Sequence, residues 1–336
     1  MKEVYIIAEA GVNHNGNVNL AFQLIDEAKS SNANCIKFQT FKASNLVTSK
    51  APKADYQLKV TNPKESQFDM LSSLELKKGD YLKLIKYCEK LNIDFMSTPY
   101  NKEDVDFLFD LGVKSFKIAS GQLTELHFIN YVASFNLPIY ISTGMAKMSE
   151  VIAAVESIKK TSPSIPLTVF QCTTNYPSII EEANINVLET FKSIPDIRIG
   201  YSDHVQNNFA CYTAVAKGAL VIEKHFTLDK KMKGPDHSCS LDPKGFIDLV
   251  YGIRQIEKSL GSFSKEPSKS ESKNINGMKR SLVYSLPLKK GAILEEKHFA
   301  FKRPYEGLSP NEIIHFIGKK IKQNVELDEF ANFEHI

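Results

Sequence analysis

Ile199-Gly-Tyr-Ser-Asp-His204 and Val221-Ile-Glu-Lys-His225 decide how this chain reads. Each is a short apolar run that ends in polar groups and leads into a helix-periodic segment, the pattern of a buried parallel strand feeding a helix. The two histidines are one strand-helix-strand unit apart. That spacing places them on neighbouring parallel strands with both imidazoles at the same end. Two neutral imidazoles converging there suit a divalent metal. A lone strand-end histidine more often satisfies only a local hydrogen bond, so the rest of the chain has to choose between the two readings.

Working outward, apolar β-rich runs begin at Val4, Cys35, Ile93, Ser115, Pro138, Leu167, Ile197 and Leu220. Between them lie segments with apolar residues at three- and four-residue spacing, at 20–30, 79–91, 102–111, 149–160 and 209–217, with a last one at 243–260. Eight strand-helix units predict an α/β fold, a (β/α)8 TIM barrel over residues 1–261, with its site at the C-terminal strand ends. An open doubly wound sheet is the alternative, but the Gly-x-Gly-x-x-Gly nucleotide fingerprint is missing.

The connection between Phe41 and Glu75 is too long for an ordinary barrel loop. Tyr56, Phe68 and Met70 give it apolar anchors, so it reads as a lid folding over the strand ends. Residues 262–280, rich in Ser, Lys and Glu, read as a linker, and 281–336 as a small second domain that is marginal alone. The formal charge of +3 has its signs interspersed, which predicts no nucleic-acid partner. No apolar stretch approaches the length of a membrane span, and the N-terminus runs directly into a strand pattern without a leader. Five cysteines without a Cys-x-x-Cys pair fit a reducing cytoplasm.

The polar residues at the strand ends are Glu9, then Lys37 and Gln39, Thr98, Lys117 with Ser120 and Gln122, and Ser142 with Thr143. Thr173, Thr174 and Tyr176 follow, then Ser202, Asp203 and His204, and last Glu223, Lys224 and His225. Taken singly each has a bland reading, as an ion-paired strand end or a helix cap. Together, lysines and hydroxyls at one barrel mouth supply the charge and hydrogen-bond donors that a phosphate needs.

The runs Ala8-Glu-Ala-Gly-Val-Asn-His-Asn-Gly16, Lys37-Phe-Gln39, Ser97-Thr-Pro99, Lys117-Ile-Ala-Ser-Gly121 and Ser142-Thr-Gly-Met145 fall in order at these ends. With Gly200-Tyr-Ser-Asp-His204, Glu223-Lys-His-Phe-Thr227, Gly234-Pro-Asp-His237 and Lys302-Arg-Pro304, they resemble the N-acetylneuraminate (sialic acid) synthase family over nearly the whole chain. The resemblance implies condensation of phosphoenolpyruvate with an N-acetylated manno-hexosamine and water, releasing phosphate. It also implies a divalent metal, Mn2+ first, with Mg2+ or Co2+ as other candidates. The second domain becomes an antifreeze-like (SAF) domain that reaches over the partner's barrel in a domain-swapped homodimer.

Carried onto this sequence, the resemblance makes His204 and His225 the metal ligands and places Lys37, Thr98, Lys117, Ser120, Thr174 and Ser202 on phosphoenolpyruvate. Gln39, Gln122, Tyr176 and Asp236 would line the sugar site, and Arg303 would come from the other subunit to hold the N-acetyl group. Two positions depart from the sialic acid branch: Gln122 replaces a carboxylate and Thr174 an asparagine. Gln122 cannot act as a base, so Glu9 or Glu223 is the better proton acceptor. The lid, with Lys53-Ala-Asp-Tyr-Gln57 and Glu65-Ser-Gln-Phe68, looks more like the N,N'-diacetyllegionaminate branch than the N-acetylneuraminate one. A Schiff-base aldolase using Lys117 or Lys224 would explain the strand-end lysines but not the histidine pair or the second domain. A surface-binding role for the C-terminal domain alone would leave most of the chain unexplained.

Overall fold

The computed structural model describes residues 3–62 and 64–336. The chain divides into two compact units between Gly261 and Ser262.

The first unit is built on eight strands: β1 (Tyr5–Gly11), β2 (Cys35–Thr40), β3 (Asp94–Pro99), β4 (Phe116–Ile118), β5 (Ile139–Ser142), β6 (Leu167–Cys172), β7 (Arg198–Asp203) and β8 (Val221–His225). They form one parallel sheet in the order β3-β2-β1-β8-β7-β6-β5-β4. β4 lies beside β3 and closes the ring. The helices are α1 (Val18–Ser30), then α2 (Ala43–Leu46), α3 (Asp55–Val60) and α4 (Gln67–Ser73) in the long connection, then α5 (Lys78–Leu91) and α6 (Lys102–Asp110). α7 (Leu126–Ser134), α8 (Met148–Thr161), α9 (Val187–Phe191), α10 (Phe209–Ala216) and α11 (Pro243–Leu260) complete this unit. The barrel expected from the eight apolar runs is therefore present. No helix among the described residues is long and apolar enough to cross a membrane.

Alternation along each strand sorts the side chains into two sets, because successive residues point to opposite faces. One set, including Ile6, Ala8, Ile36 and Phe38, packs in the large core shared with the helices. The other set faces the barrel interior. Ile7, Cys35, Met96, Phe170 and Val221, with Tyr5 and Tyr140 against them, form an apolar layer there. An added Cβ at Gly200 would sit 2.6 Å from the Phe170 ring, so this layer fits only with glycine at that place. Two residues further along the same strands, the inward set becomes Glu9, Lys37, Thr98, Cys172, Ser202 and Glu223, all buried. The apolar layer is the floor on which these polar groups stand.

The lid is partly ordered by its own contacts. Met70 and Leu74 pack with Val12 and Phe41, while Phe68 stays half-buried outside that cluster. The buried Lys53 ammonium donates to Thr61 Oγ1 (3.0 Å), the Asn62 carbonyl (2.9 Å) and Glu65 Oε2 (3.0 Å), stapling the ends of the α3 segment together. The Tyr56 ring meets the Tyr176 ring at 5.0 Å.

The second unit covers residues 262–336. Its strands β9 (Ser281–Tyr284) and β10 (Phe299–Lys302) pair antiparallel over a small core of Leu282, Tyr284, Leu294 and Phe316. α12 (Lys269–Met278) lies in the Ser- and Lys-rich stretch and is capped by Ser268, whose hydroxyl accepts from the Glu271 N–H. It is bound to the rest of the unit through the Tyr305 N–H to the Asn276 carbonyl at 2.8 Å.

Candidate active site

The inward polar layer is a connected electrostatic network. Lys37 Nζ lies 2.7 Å from Glu9 Oε2 and 3.5 Å from Glu223 Oε1, and donates to Thr98 Oγ1 at 3.3 Å. From the far side of the barrel Lys117 Nζ reaches the same Glu223 oxygen at 3.2 Å, and Ser202 Oγ donates to it at 3.1 Å. Two ammonium groups thus bracket one carboxylate. Burial would raise the Glu223 carboxyl, but the Lys117 and Lys37 charges outweigh it and hold it down to about 2. Glu9 goes the other way, because burial and the Glu223 charge push it up more than Lys37 pulls it down. The site therefore holds one carboxylate that stays ionised and one that takes a proton more readily.

Two residues above Glu223 on the same face, His225 stands beside His204, with ring centroids 5.2 Å apart. His204 Nδ1 lies 2.6 Å from the Thr173 carbonyl, which can only accept, so Nδ1 carries the proton and Nε2 is left with its lone pair. The His225 ring is buried with no partner at Nδ1. Burial and the neighbouring His204 hold its proton affinity well below the usual imidazole range, so it stays neutral. Burial lowers His204 as well, but the Cys172 sulfur and the Thr173 carbonyl more than offset this and raise it. Among the described residues no group of three or more His, Cys, Asp or Glu is arranged to hold a metal ion by itself. Two imidazole nitrogens with open positions around them fit a divalent ion that shares its coordination sphere with substrate or water and competes with the proton on His204.

Tyr176 covers the pair, 4.0 Å from the His204 ring and 5.5 Å from that of His225. Gln39 donates to Glu9 Oε1 at 3.4 Å and accepts from the Tyr100 hydroxyl at 3.3 Å. Asp236 is buried within electrostatic reach of Glu9 and His204, and its carboxyl is pushed up to about 7, chiefly by burial. Ser120 Oγ accepts from the Gly144 N–H at 3.0 Å. An added Cβ at Gly144 would fall 2.0 Å from Thr174 Oγ1, and the hydroxyls of Thr174 and Ser142 are buried without partners. Buried hydroxyls without partners are what a bound anion would satisfy.

Of the residues marked in the sequence, Glu9, Lys37, Gln39, Thr98, Lys117, Ser202, Glu223, His204, His225 and Tyr176 meet at the mouth, with Ser120 and Thr174 at its rim. Gln122 sits differently. Its Oε1 accepts from the Ala119 N–H at 3.3 Å and its Nε2 donates to the Tyr100 carbonyl at 3.2 Å, so it braces two backbone segments. Arg303 lies in the second unit, where its Nε donates to the Met278 carbonyl at 3.1 Å. Lys224, weighed as a Schiff-base lysine, is fully buried on the outer face of the sheet and bonded to Asp203, so it has no access to the mouth. Tyr100, Cys172 and the Thr173 carbonyl were not assigned roles from the sequence. Tyr100 follows directly on the Ser97-Thr-Pro99 strand end, a position that marks it for the mouth.

The NeuB family sequence model matches residues 24–265. N,N'-diacetyllegionaminic acid synthase of Campylobacter jejuni is 46% identical over 98% of this chain and 99% of its own length. The enzyme of the same name from Legionella pneumophila is 40% identical over 99% of this chain and 94% of its own. The crystal structure of N-acetylneuraminic acid synthetase from Leptospira borgpetersenii in complex with citrate superposes with a TM-score of 0.73 at 34% identity, covering 82% of this chain and 90% of that one. With a closed parallel barrel, a family model matched over most of the chain and full-length relatives of this kind, the chain belongs to the NeuB family.

Proposed function

We propose that this protein is a nonulosonate synthase that condenses phosphoenolpyruvate with an N-acetylated manno-hexosamine and water, releasing phosphate. The observation that carries this reading is the stacking of two charges of site in one barrel: Lys37 and Lys117 bracketing Glu223, with the His204 and His225 imidazoles directly above. Lys37, Lys117, Thr98, Ser120, Thr174 and Ser202 take the phosphate and carboxylate of phosphoenolpyruvate, the two lysines keeping their pairing with Glu223. His204 and His225 hold a divalent ion, Mn2+ foremost with Mg2+ or Co2+ as substitutes, which when bound supplies Lewis-acid polarisation of a carbonyl oxygen.

The protein groups then divide the work. The methylene carbon of phosphoenolpyruvate forms a bond to the sugar aldehyde carbon, and the aldehyde oxygen becomes a hydroxyl. Positive charge developing at C2 faces Glu223, which stays ionised. Water adds to C2 and gives its proton to Glu9, whose raised carboxyl suits a proton acceptor. The C2–O bond to phosphorus then breaks and the C2 hydroxyl gives its remaining proton to the departing phosphate, leaving the ketone, while the proton held by Glu9 balances the one taken up by the aldehyde oxygen and Lys37 and Lys117 neutralise the phosphate.

For the acceptor we favour the 2,4-diacetamido-6-deoxy sugar that gives N,N'-diacetyllegionaminate, with N-acetylmannosamine as the second reading. The support is the 46% identity to the Campylobacter jejuni enzyme and the neutral Gln122. Tyr56 from the lid, tilted against the Tyr176 ring, can pack on a C6 methyl worth about 1 kcal/mol. Side-by-side kcat/KM measurements are expected to favour the diacetamido sugar. A tenfold preference for N-acetylmannosamine would reverse that choice without touching the reaction.

Residues 281–336 are read as the antifreeze-like (SAF) domain of the family, with Arg303 serving a second copy's sugar site in a homodimer. Mixing Arg303→Ala and His204→Ala subunits is expected to restore part of the activity in heterodimers. No recovery despite confirmed subunit exchange would rule out the exchanged arrangement. Five buried, unpaired cysteines fit a cytoplasmic enzyme.

A further inference from the structure

Behind the two histidines, on the outer face of the sheet, lies a buried ion pair to which the reaction gives no role. Asp203 and Lys224 each precede one of the histidines, face each other in the β7–β8 register and have fully buried side chains. Lys224 Nζ meets Asp203 Oδ2 at 2.5 Å and also donates to the carbonyls of Val205 and of Asn207, the latter at 3.0 Å. All three ammonium protons are used. Asp203 is equally committed: Oδ1 accepts from the Tyr201 hydroxyl (2.9 Å) and the Val205 N–H (3.0 Å), and Oδ2 from the Cys211 thiol of α10 (3.1 Å). Lys224 therefore grips the chain from residue 203 to 207, the stretch in which β7 ends and His204 is presented, from the strand that presents His225.

We propose that the Asp203–Lys224 pair is the positioning device of the two-imidazole site, fixing His204 against His225 from outside while the Thr173 carbonyl fixes its ring from within. This rests on the reading of those histidines as the holders of a divalent ion. Fold stability alone does not call for buried charges on neighbouring strands, since apolar pairs of similar volume often serve as well where no other polar group depends on the pair. Directed bonds to two carbonyls past His204 are what an apolar pair cannot supply.

The test is Mn2+ binding by calorimetry to the full-length protein. The Asp203→Leu/Lys224→Met double variant is expected to fold with a cooperative thermal transition at a lowered midpoint, because the Tyr201 hydroxyl, the Val205 N–H and the Val205 and Asn207 carbonyls lose their partners. Its Mn2+ Kd should rise tenfold or more, while phosphoenolpyruvate binding measured without metal changes less than twofold. A purely structural pair would shift the transition and leave the Mn2+ Kd alone, and a folded double variant with wild-type Mn2+ affinity overturns the proposal. Should the double variant not fold, Asp203→Asn keeps the side-chain shape but sets an amide against Lys224. The same tenfold loss is expected there, and an unchanged Kd is again decisive against the proposal. His225→Ala serves as the metal-site control. A wild-type protein that binds no Mn2+ removes the two-imidazole reading itself, and the positioning role with it.

Discussion

His225→Ala is expected to lower the condensation rate by about a thousandfold or more while leaving the fold intact. Loss of one of only two imidazoles removes several kcal/mol of carbonyl polarisation, and each 1.4 kcal/mol of barrier is a factor of ten. The fold should tolerate the change because the His225 ring makes no side-chain hydrogen bond, so its removal orphans no partner. Initial rates, thermal midpoint and Mn2+ binding of variant and wild type decide the matter together. Substantial activity in metal-stripped His225→Ala would refute the assignment of the imidazole pair.

Lys37→Met is expected to cost about 3–5 kcal/mol of stability at neutral pH, since it leaves Glu9 and Glu223 buried with one cation fewer. The sign of the pH dependence follows from Glu223. Its carboxyl is held at about 2 against an ordinary 4.5, so in the wild type it contributes stability that is fully present above 4.5 and lost as pH falls through about 2. Removing Lys37 weakens that hold, although Lys117 remains. The deficit of the variant should be largest near pH 7 and shrink towards pH 4, as the carboxyls of the variant take up protons. Urea titrations of both proteins across that range measure it. A deficit independent of pH would mean that Lys37 contributes through packing alone.

Much of this was legible in the sequence for a definite reason. Parallel strands covered on both faces must be apolar nearly throughout, so the eight runs stand out, and any polar residue in them calls for explanation. The period of two then groups Lys37 with Gln39, Ser202 with His204, and Glu223 with His225. The same rule puts Lys224 on the opposite face, and weighing it as a nucleophile passed over that parity. The lid helices were not legible. α2, α3 and α4 are too short to carry a helical period, and tertiary contacts fix them, such as Met70 against Val12 and Phe41. α12 announced itself only locally, through Ser268 and Glu271, in a stretch whose composition reads as linker. Gln122 shows the remaining limit: its position at a strand end is readable, but its turn towards the Ala119 and Tyr100 backbone depends on a three-residue helical turn that no sequence period encodes.

The Lys53 staple has a kinetic consequence. With all three ammonium protons bound across residues 61–65, the segment that carries Tyr56 is folded before any ligand arrives. Sugar capture then needs a displacement of a preorganised piece and not the ordering of a loose chain, so the entropy of loop folding is absent from the binding step. Differences in affinity between competing sugars should accordingly appear in how fast each leaves rather than in how fast each enters.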